Sequence, residues 1–178
     1  MPSDNELEAY KLKVIAAMQR AKTSGSPSVF ENKGPAHARV VLEVMLADGE
    51  RSVDVLTGVM DSAGWEEKAL LDFLSRHPEG RIRVLFDQLN GSELPENSVL
   101  KKLIRHTHVE TGQLMTPFGT HLCIVDNKHV RLEYNHDIGE ANITFGDPEA
   151  AERATAIFET LWNSEQRIDL VESKQNQK

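Results

Sequence analysis

Residues 119–128 read GTHLCIVDNK, and this stretch decides the fold. Its four central apolar residues follow a glycine and a Thr-His pair, and they precede Asp126 and Asn127. A short apolar run bounded by turn-forming residues is typical of a buried strand. The stretch therefore predicts an interior strand over residues 120–125 that ends in a tight turn.

Helices and strands alternate in the first half of the chain, and strands cluster in the second. Apolar spacing and helix start and stop residues predict helices over residues 5–22, 35–48, 65–76, 94–106 and 148–162. Further strands are predicted over residues 52–56, 81–86, 108–115, 129–134 and 141–145. Alternation implies parallel strands with crossover helices, whereas clustered strands pair as hairpins. The pattern predicts an α/β fold in which helices flank both faces of a mixed central β-sheet, with an added N-terminal helix.

We expect three segments along the chain. Residues 1–27 form an N-terminal helix and a linker, residues 28–164 form the α/β domain, and residues 165–178 form a polar C-terminal tail. The first helix has an apolar stripe at three- and four-residue spacing. The stripe predicts that this helix docks on the domain or on a protein partner.

Composition narrows the class of protein. The chain has 178 residues, of which 39% are hydrophobic and 27% charged, as in one globular domain. Its single cysteine, Cys123, excludes an internal disulfide framework. No apolar run is long enough to span a bilayer, and the N-terminus has no apolar signal core. We therefore expect a cytoplasmic protein that does not bind membranes.

The distribution of charge bears on nucleic-acid binding. The net charge of −8 opposes long-range attraction of a polyanion. A local basic cluster, Lys101, Lys102 and Arg105, could still contact a nucleic-acid backbone. The alternative is that this cluster is a solvated helix face which balances the acidic remainder of the chain.

Two longer stretches carry a resemblance to a known family. One is PAHARVVLEVMLADGERSVDVLTG at residues 35–58, and the other combines HLCIVDNKHVRLE at residues 121–133 with ANITFGDPEAAERATAIFETLW at residues 141–162. Together they resemble one half of the phospholipase D-like fold. The resemblance extends from Val29 to Trp162.

The motif of that superfamily is only partly present. Its site strand carries His-x-Lys-x-x-x-x-Asp. If Asp126 is matched to the motif aspartate, Gly119 falls on the nucleophilic histidine and His121 on the lysine. If His121 is matched to the histidine instead, Cys123 falls on the lysine and Lys128 on the aspartate. The chain thus resembles a half-domain with a degenerate His-x-Lys-Asp motif.

The resemblance also implies an assembly and a set of site residues. Active members pair two halves without a metal or cofactor, so a single half implies a homodimer. The implied catalytic residues are His121 and Asp126, and the implied phosphate- or ligand-binding residues are Arg131 and Glu133. Each also has a structural interpretation: a hydrogen-bonded buried histidine, a turn aspartate, and a salt bridge between Arg131 and Glu133.

Two functions follow from these observations. The first is a degenerate module that is not catalytic and binds a protein partner or nucleic acid, with the prokaryotic accessory or defence-type role that the resemblance implies. The alternative is a metal-independent phosphodiesterase or nuclease that is active as a homodimer, with His121 as the reactive group.

Overall fold

The computed structural model describes residues 2–58, 60, 65, 67–87, 98–104, 106–135 and 138–169. The strands are β1 (Ser28–Asn32), β2 (Ser52–Thr57), β3 (Arg81–Asp87), β4 (Val109–Leu114), β5 (His121–Val125), β6 (His129–Asn135), β7 (Glu140–Phe145) and β8 (Arg167–Asp169). The helices are α1 (Asp4–Ser24), α2 (Pro35–Asp48), α3 (Glu67–Arg76), α4 (Leu100–Leu103) and α5 (Pro148–Trp162).

The described strands form one mixed sheet in the order β1-β7-β6-β5-β2-β3-β4-β8. Strands β2, β3 and β4 are parallel to one another, and β5 is antiparallel to β2. The predicted mixed sheet is therefore confirmed. Strand β5 lies at its centre, where the apolar run from Leu122 to Val125 is buried on both faces.

Helices cover both faces of the sheet, as predicted. On one face, α2 and α1 contribute Val41, Met45 and Met18 to a core that includes alternate residues of β2, β3 and β5. On the other face, α5 packs Phe158 and Trp162 against the intervening residues of the same strands. The period-two alternation of each strand thus supplies both cores.

The N-terminal helix α1 belongs to the main core. Its residues Val14, Ala17, Met18 and Ala21 are buried in the same cluster as α2 and the sheet. The helix begins with a capping box that Ser3 closes, in which serine and glutamate side chains satisfy backbone N–H groups at the helix start. The apolar stripe that predicted docking is therefore buried within this chain.

Two edge strands do not appear in the sequence pattern. Strand β1 pairs with β7, and the three-residue strand β8 pairs with β4. Neither has a clear apolar alternation, and each is held by backbone hydrogen bonds to its neighbour. Strand pairing, which no local pattern encodes, therefore determines both margins of the described sheet.

The fourth helix is shorter than predicted where the structure describes it. Helix α4 covers only Leu100–Leu103, and Ser98 and Val99 are not helical. Residues 94–97 and Arg105, which the prediction also included, lie outside the described residues. None of the described helices combines the length and apolar character that crossing a bilayer requires.

Candidate functional site

A cleft opens at the carboxyl end of β2, beside the start of β5. Ligands of open α/β sheets bind at the carboxyl ends of the strands. The cleft has a volume of about 290 Å³, and His121, Arg131 and Glu133 lie in it. Residues from α2 and the segment after β2, including Leu42 and Trp65, form its apolar wall.

The imidazole of His121 is held on both sides by the protein. Its Nε2 accepts a hydrogen bond from the backbone N–H of Gly58 at 3.1 Å. Its Nδ1 lies 3.1 Å from Oε1 of Glu133. Because Nε2 is an acceptor, these partners assign a neutral ring with its proton on Nδ1. The lone pair that a nucleophilic histidine would use is therefore engaged by the Gly58 N–H.

Arg131 and Glu133, which the alternation of β6 places on one side of the strand, form an ion pair that is buried and not at the surface. Nη2 of Arg131 donates to Oε2 of Glu133 at 2.8 Å, and the two residues are only 4% and 8% exposed. Nε of Arg131 donates to Oδ1 of Asn32 at 3.1 Å, and Asn32 in turn donates to the carbonyl of Gly139. Asn32 was not predicted as a site residue, because the strand that carries it has no clear sequence signal.

Asp126 lies at the opposite edge of the sheet from His121. It follows the carboxyl end of β5 and has a φ of 55°. Its carboxylate accepts hydrogen bonds from the backbone N–H groups of Glu50, Arg51 and Ser52 at 2.8, 2.8 and 2.9 Å. Asp126 thus lies in the turn after β5, where it holds the segment that precedes β2, and the structure does not bring it together with His121.

No protein-family model and no curated protein matches this chain. Solved structures do match, among them NucT from Helicobacter pylori, with a TM-score of 0.62 and 14% identity over 82% of this chain and 100% of that one. TrmBL2, an archaeal chromatin protein whose structure shows a mode of DNA binding, matches with a TM-score of 0.61 and 14% identity.

The match with TrmBL2 covers 92% of this chain and 65% of TrmBL2. A phosphatidylserine synthase from Haemophilus influenzae matches with a TM-score of 0.53 and 9% identity, over 85% of this chain and 41% of that one. Phospholipase D-like proteins are therefore among its structural relatives. The fold is phospholipase D-like. At these identities the likeness concerns the fold alone.

The two registers of the resemblance place Gly119 and Cys123 at different points of the fold. In the first, Gly119 takes the histidine position, and it precedes β5 with a φ of 73° in a conformation that favours glycine. In the second, Cys123 takes the lysine position. Burial raises the pKa of Cys123 to about 12, so this side chain is a neutral thiol. Gly119 and Cys123 therefore provide neither an imidazole nor an ammonium group at these positions.

The two described lysines of the basic cluster do not line the cleft. Lys102 forms an ion pair with Glu67 of α3, which offsets its charge. Lys101 is half-buried, and neither lysine is among the residues that line the cleft. Arg105 lies outside the described residues. Within the part of the chain that the structure describes, no three His, Cys, Asp or Glu side chains group as metal ligands.

A buried histidine, His129, joins α1, α2 and β6 at the other edge of the sheet. Nε2 of His129 lies 3.0 Å from Oδ2 of Asp48, which also forms an ion pair with Lys22. Burial lowers the pKa of His129, although Asp48 opposes this effect. Burial alone would raise the pKa of Asp48, but hydrogen bonds from Lys22 and His129 bring it below its ordinary value. The sequence predicts His129 on the same side as Arg131 but gives no sign of its partner.

Proposed function

We propose that this chain is a degenerate phospholipase D-like half-domain that is not catalytic and acts by binding nucleic acid. The observation that carries the first part is the state of His121. Its Nε2 accepts from Gly58, and its Nδ1 faces Glu133. A hydrogen bond to the lone pair of Nε2 lowers its nucleophilicity, and Gly119 supplies no second candidate.

The nucleic-acid part is supported by a structural relative. TrmBL2 matches over 92% of this chain, and its structure shows DNA binding. Two described cations, Arg131 and Lys102, are each paired with a carboxylate, Glu133 and Glu67. Binding would then depend on contacts other than phosphate neutralisation. A cytoplasmic accessory or defence-type role belongs to the same proposal.

The first prediction is that this chain does not hydrolyse phosphodiesters. With EDTA present, we expect the unaltered chain and its His121→Ala variant to hydrolyse bis(p-nitrophenyl) phosphate and plasmid DNA at the same background rate. Removing a histidine that takes no part in chemistry changes no chemical step. His106→Ala removes an exposed histidine and serves as the matched control. Circular dichroism establishes that each variant is folded.

The opposite result would favour the alternative enzyme. EDTA-resistant hydrolysis that His121→Ala abolishes and His106→Ala retains would identify His121 as the reactive group of a phosphodiesterase or nuclease. The non-catalytic proposal would then be wrong.

Binding of DNA is tested by its dependence on salt. We expect a labelled single strand to bind with an affinity that changes less than about tenfold between 50 and 200 mM salt. A protein that neutralises 6–10 phosphates loses about 10³–10⁵-fold over that range. Fluorescence anisotropy measures both cases. An affinity that falls steeply with salt would mean that phosphate contacts dominate, and no binding at any salt would refute the proposed ligand.

A protein partner is a second candidate, favoured by apolar side chains near the same edge of the sheet. Met115, Phe118, Tyr134 and Ile138 are 45%, 42%, 54% and 52% exposed. Exposed apolar groups mark an interaction surface where they form a contiguous patch, and these four lie at one end of the sheet. A second copy of the chain is the simplest partner, and sedimentation equilibrium measures whether the chain forms that homodimer.

A further inference from the structure

The cleft beside His121 combines an apolar wall with a polar floor. Pro35, Ala38 and Leu42 of α2 form one part of the wall, and Met60 and Trp65 form the other. Trp65 is half-buried, so part of its indole is open to solvent. A cleft of this composition, with a volume of about 290 Å³, is at the small end of the usual range for ligand pockets.

The polar floor offers a donor and an acceptor side by side. Arg131 donates to Asn32 and Glu133 through Nε and Nη2, and its Nη1 makes no hydrogen bond with any described residue. The two carboxylate oxygens of Glu133 have different partners: Oε1 faces Nδ1 of His121, and Oε2 accepts from Nη2 of Arg131. A carboxylate has about four lone-pair positions, so it can accept a further donor. A ligand with an adjacent acceptor and donor would match both groups.

The charges of the floor limit the class of ligand. Arg131 and Glu133 cancel, and the hydrogen bonds of His121 assign it as neutral. A free phosphate group would therefore meet the Glu133 carboxylate with no excess of positive charge to compensate. The floor favours a neutral, hydrogen-bonding edge over an anion.

From these features we infer that the cleft binds one nucleobase. A base is planar, so it can stack on the indole of Trp65, and its edge carries adjacent donors and acceptors for Glu133 and Arg131. Stacking on aromatic side chains is a common way in which proteins hold unpaired bases. This inference rests on the proposed nucleic-acid binding and names the part of the ligand that enters the cleft.

A nucleobase has two possible sources, and the experiment separates them. One is a free nucleoside, and the other is an unpaired base within a single strand. The chain contains two tryptophans, so a Trp162→Phe variant leaves Trp65 as the sole indole fluorophore. This variant is titrated with adenosine, guanosine, cytidine and uridine, and with ribose 5-phosphate as the control that lacks a base.

We expect at least one nucleoside to change Trp65 fluorescence saturably, with a dissociation constant on the order of 0.1 mM. Ribose 5-phosphate should give no change. Since Trp162 packs on Phe158 and its loss could unfold the chain, calorimetric titration of the unaltered protein repeats the measurement. Glu133→Gln should weaken nucleoside binding at least tenfold, whereas Glu110→Gln on β4, an exposed matched control, should leave it unchanged.

The outcomes distinguish this inference from the function on which it rests. If a single strand binds but no nucleoside does, and Glu133→Gln leaves strand affinity unchanged, the base pocket is refuted while nucleic-acid binding stands. If a nucleoside binds but no strand does, the base pocket stands and its ligand is a free nucleoside. Saturable binding of ribose 5-phosphate in preference to the nucleosides would overturn the inference in favour of an anion site.

Discussion

Replacement of Asp54 by alanine is expected to lower the free energy of unfolding by about 3–5 kcal/mol. Asp54 and Arg83 are 2% and 5% exposed, beneath α5. Nε and Nη2 of Arg83 donate to the two oxygens of Asp54 at 2.7 and 2.9 Å. Without Asp54, the guanidinium stays buried against the rings of Phe158 and Trp162 and loses its enclosed counter-charge. Urea unfolding measures the difference.

Glu159→Gln is the matched control for this prediction. Glu159 also accepts from Nη2 of Arg83, at 2.6 Å, but its side chain is 41% exposed. Water screens such a partner, so its loss should cost no more than about 1 kcal/mol. Equal losses from the two variants would show that burial of the Asp54 pair does not determine its contribution.

Replacement of Asp126 by alanine is the second large effect, with an expected loss of about 2–3 kcal/mol. Three backbone N–H groups, those of residues 50–52, would lose the carboxylate that accepts from them. These bonds hold the segment that leads into β2 against the turn after β5. Urea unfolding of the Asp126→Ala variant measures the loss directly.

An asparagine at the same position gives a graded comparison. Asp126→Asn keeps one carbonyl oxygen as an acceptor, and asparagine tolerates the positive φ of 55°. Its loss should be smaller, about 1 kcal/mol. If the Asp126→Ala variant unfolds at the same urea concentration as the unaltered chain, the prediction that this carboxylate stabilises the fold is wrong.

The sequence predicts the central part of the fold well, because burial there leaves a local signal. The apolar run of β5 and the alternation of β3 and β6 correspond to strands whose side chains pack on one or both faces. The outer strands β1 and β8 depend on pairing with β7 and β4. Pairing joins residues that are distant in sequence, so composition and periodicity cannot reveal it.

The candidate site is predicted in part for the same reason. Alternation along β6 places Arg131 and Glu133 on one side, and the structure brings both together with His121. Asp126, in contrast, is separated from His121. It follows His121 by five residues, and five residues of extended strand span about 17 Å. The motif groups Asp126 with His121 in sequence, but the extended chain carries the two to opposite edges of the sheet.

The margins of the sheet have a consequence for the behaviour of the protein in concentrated solution. The outermost described strands have only five and three residues. Edges this short offer few unpaired amide groups to a strand from a neighbouring molecule, and the exposed carboxylate of Glu31 on β1 adds charge repulsion. Strand addition from a neighbouring molecule is thereby discouraged at both described edges.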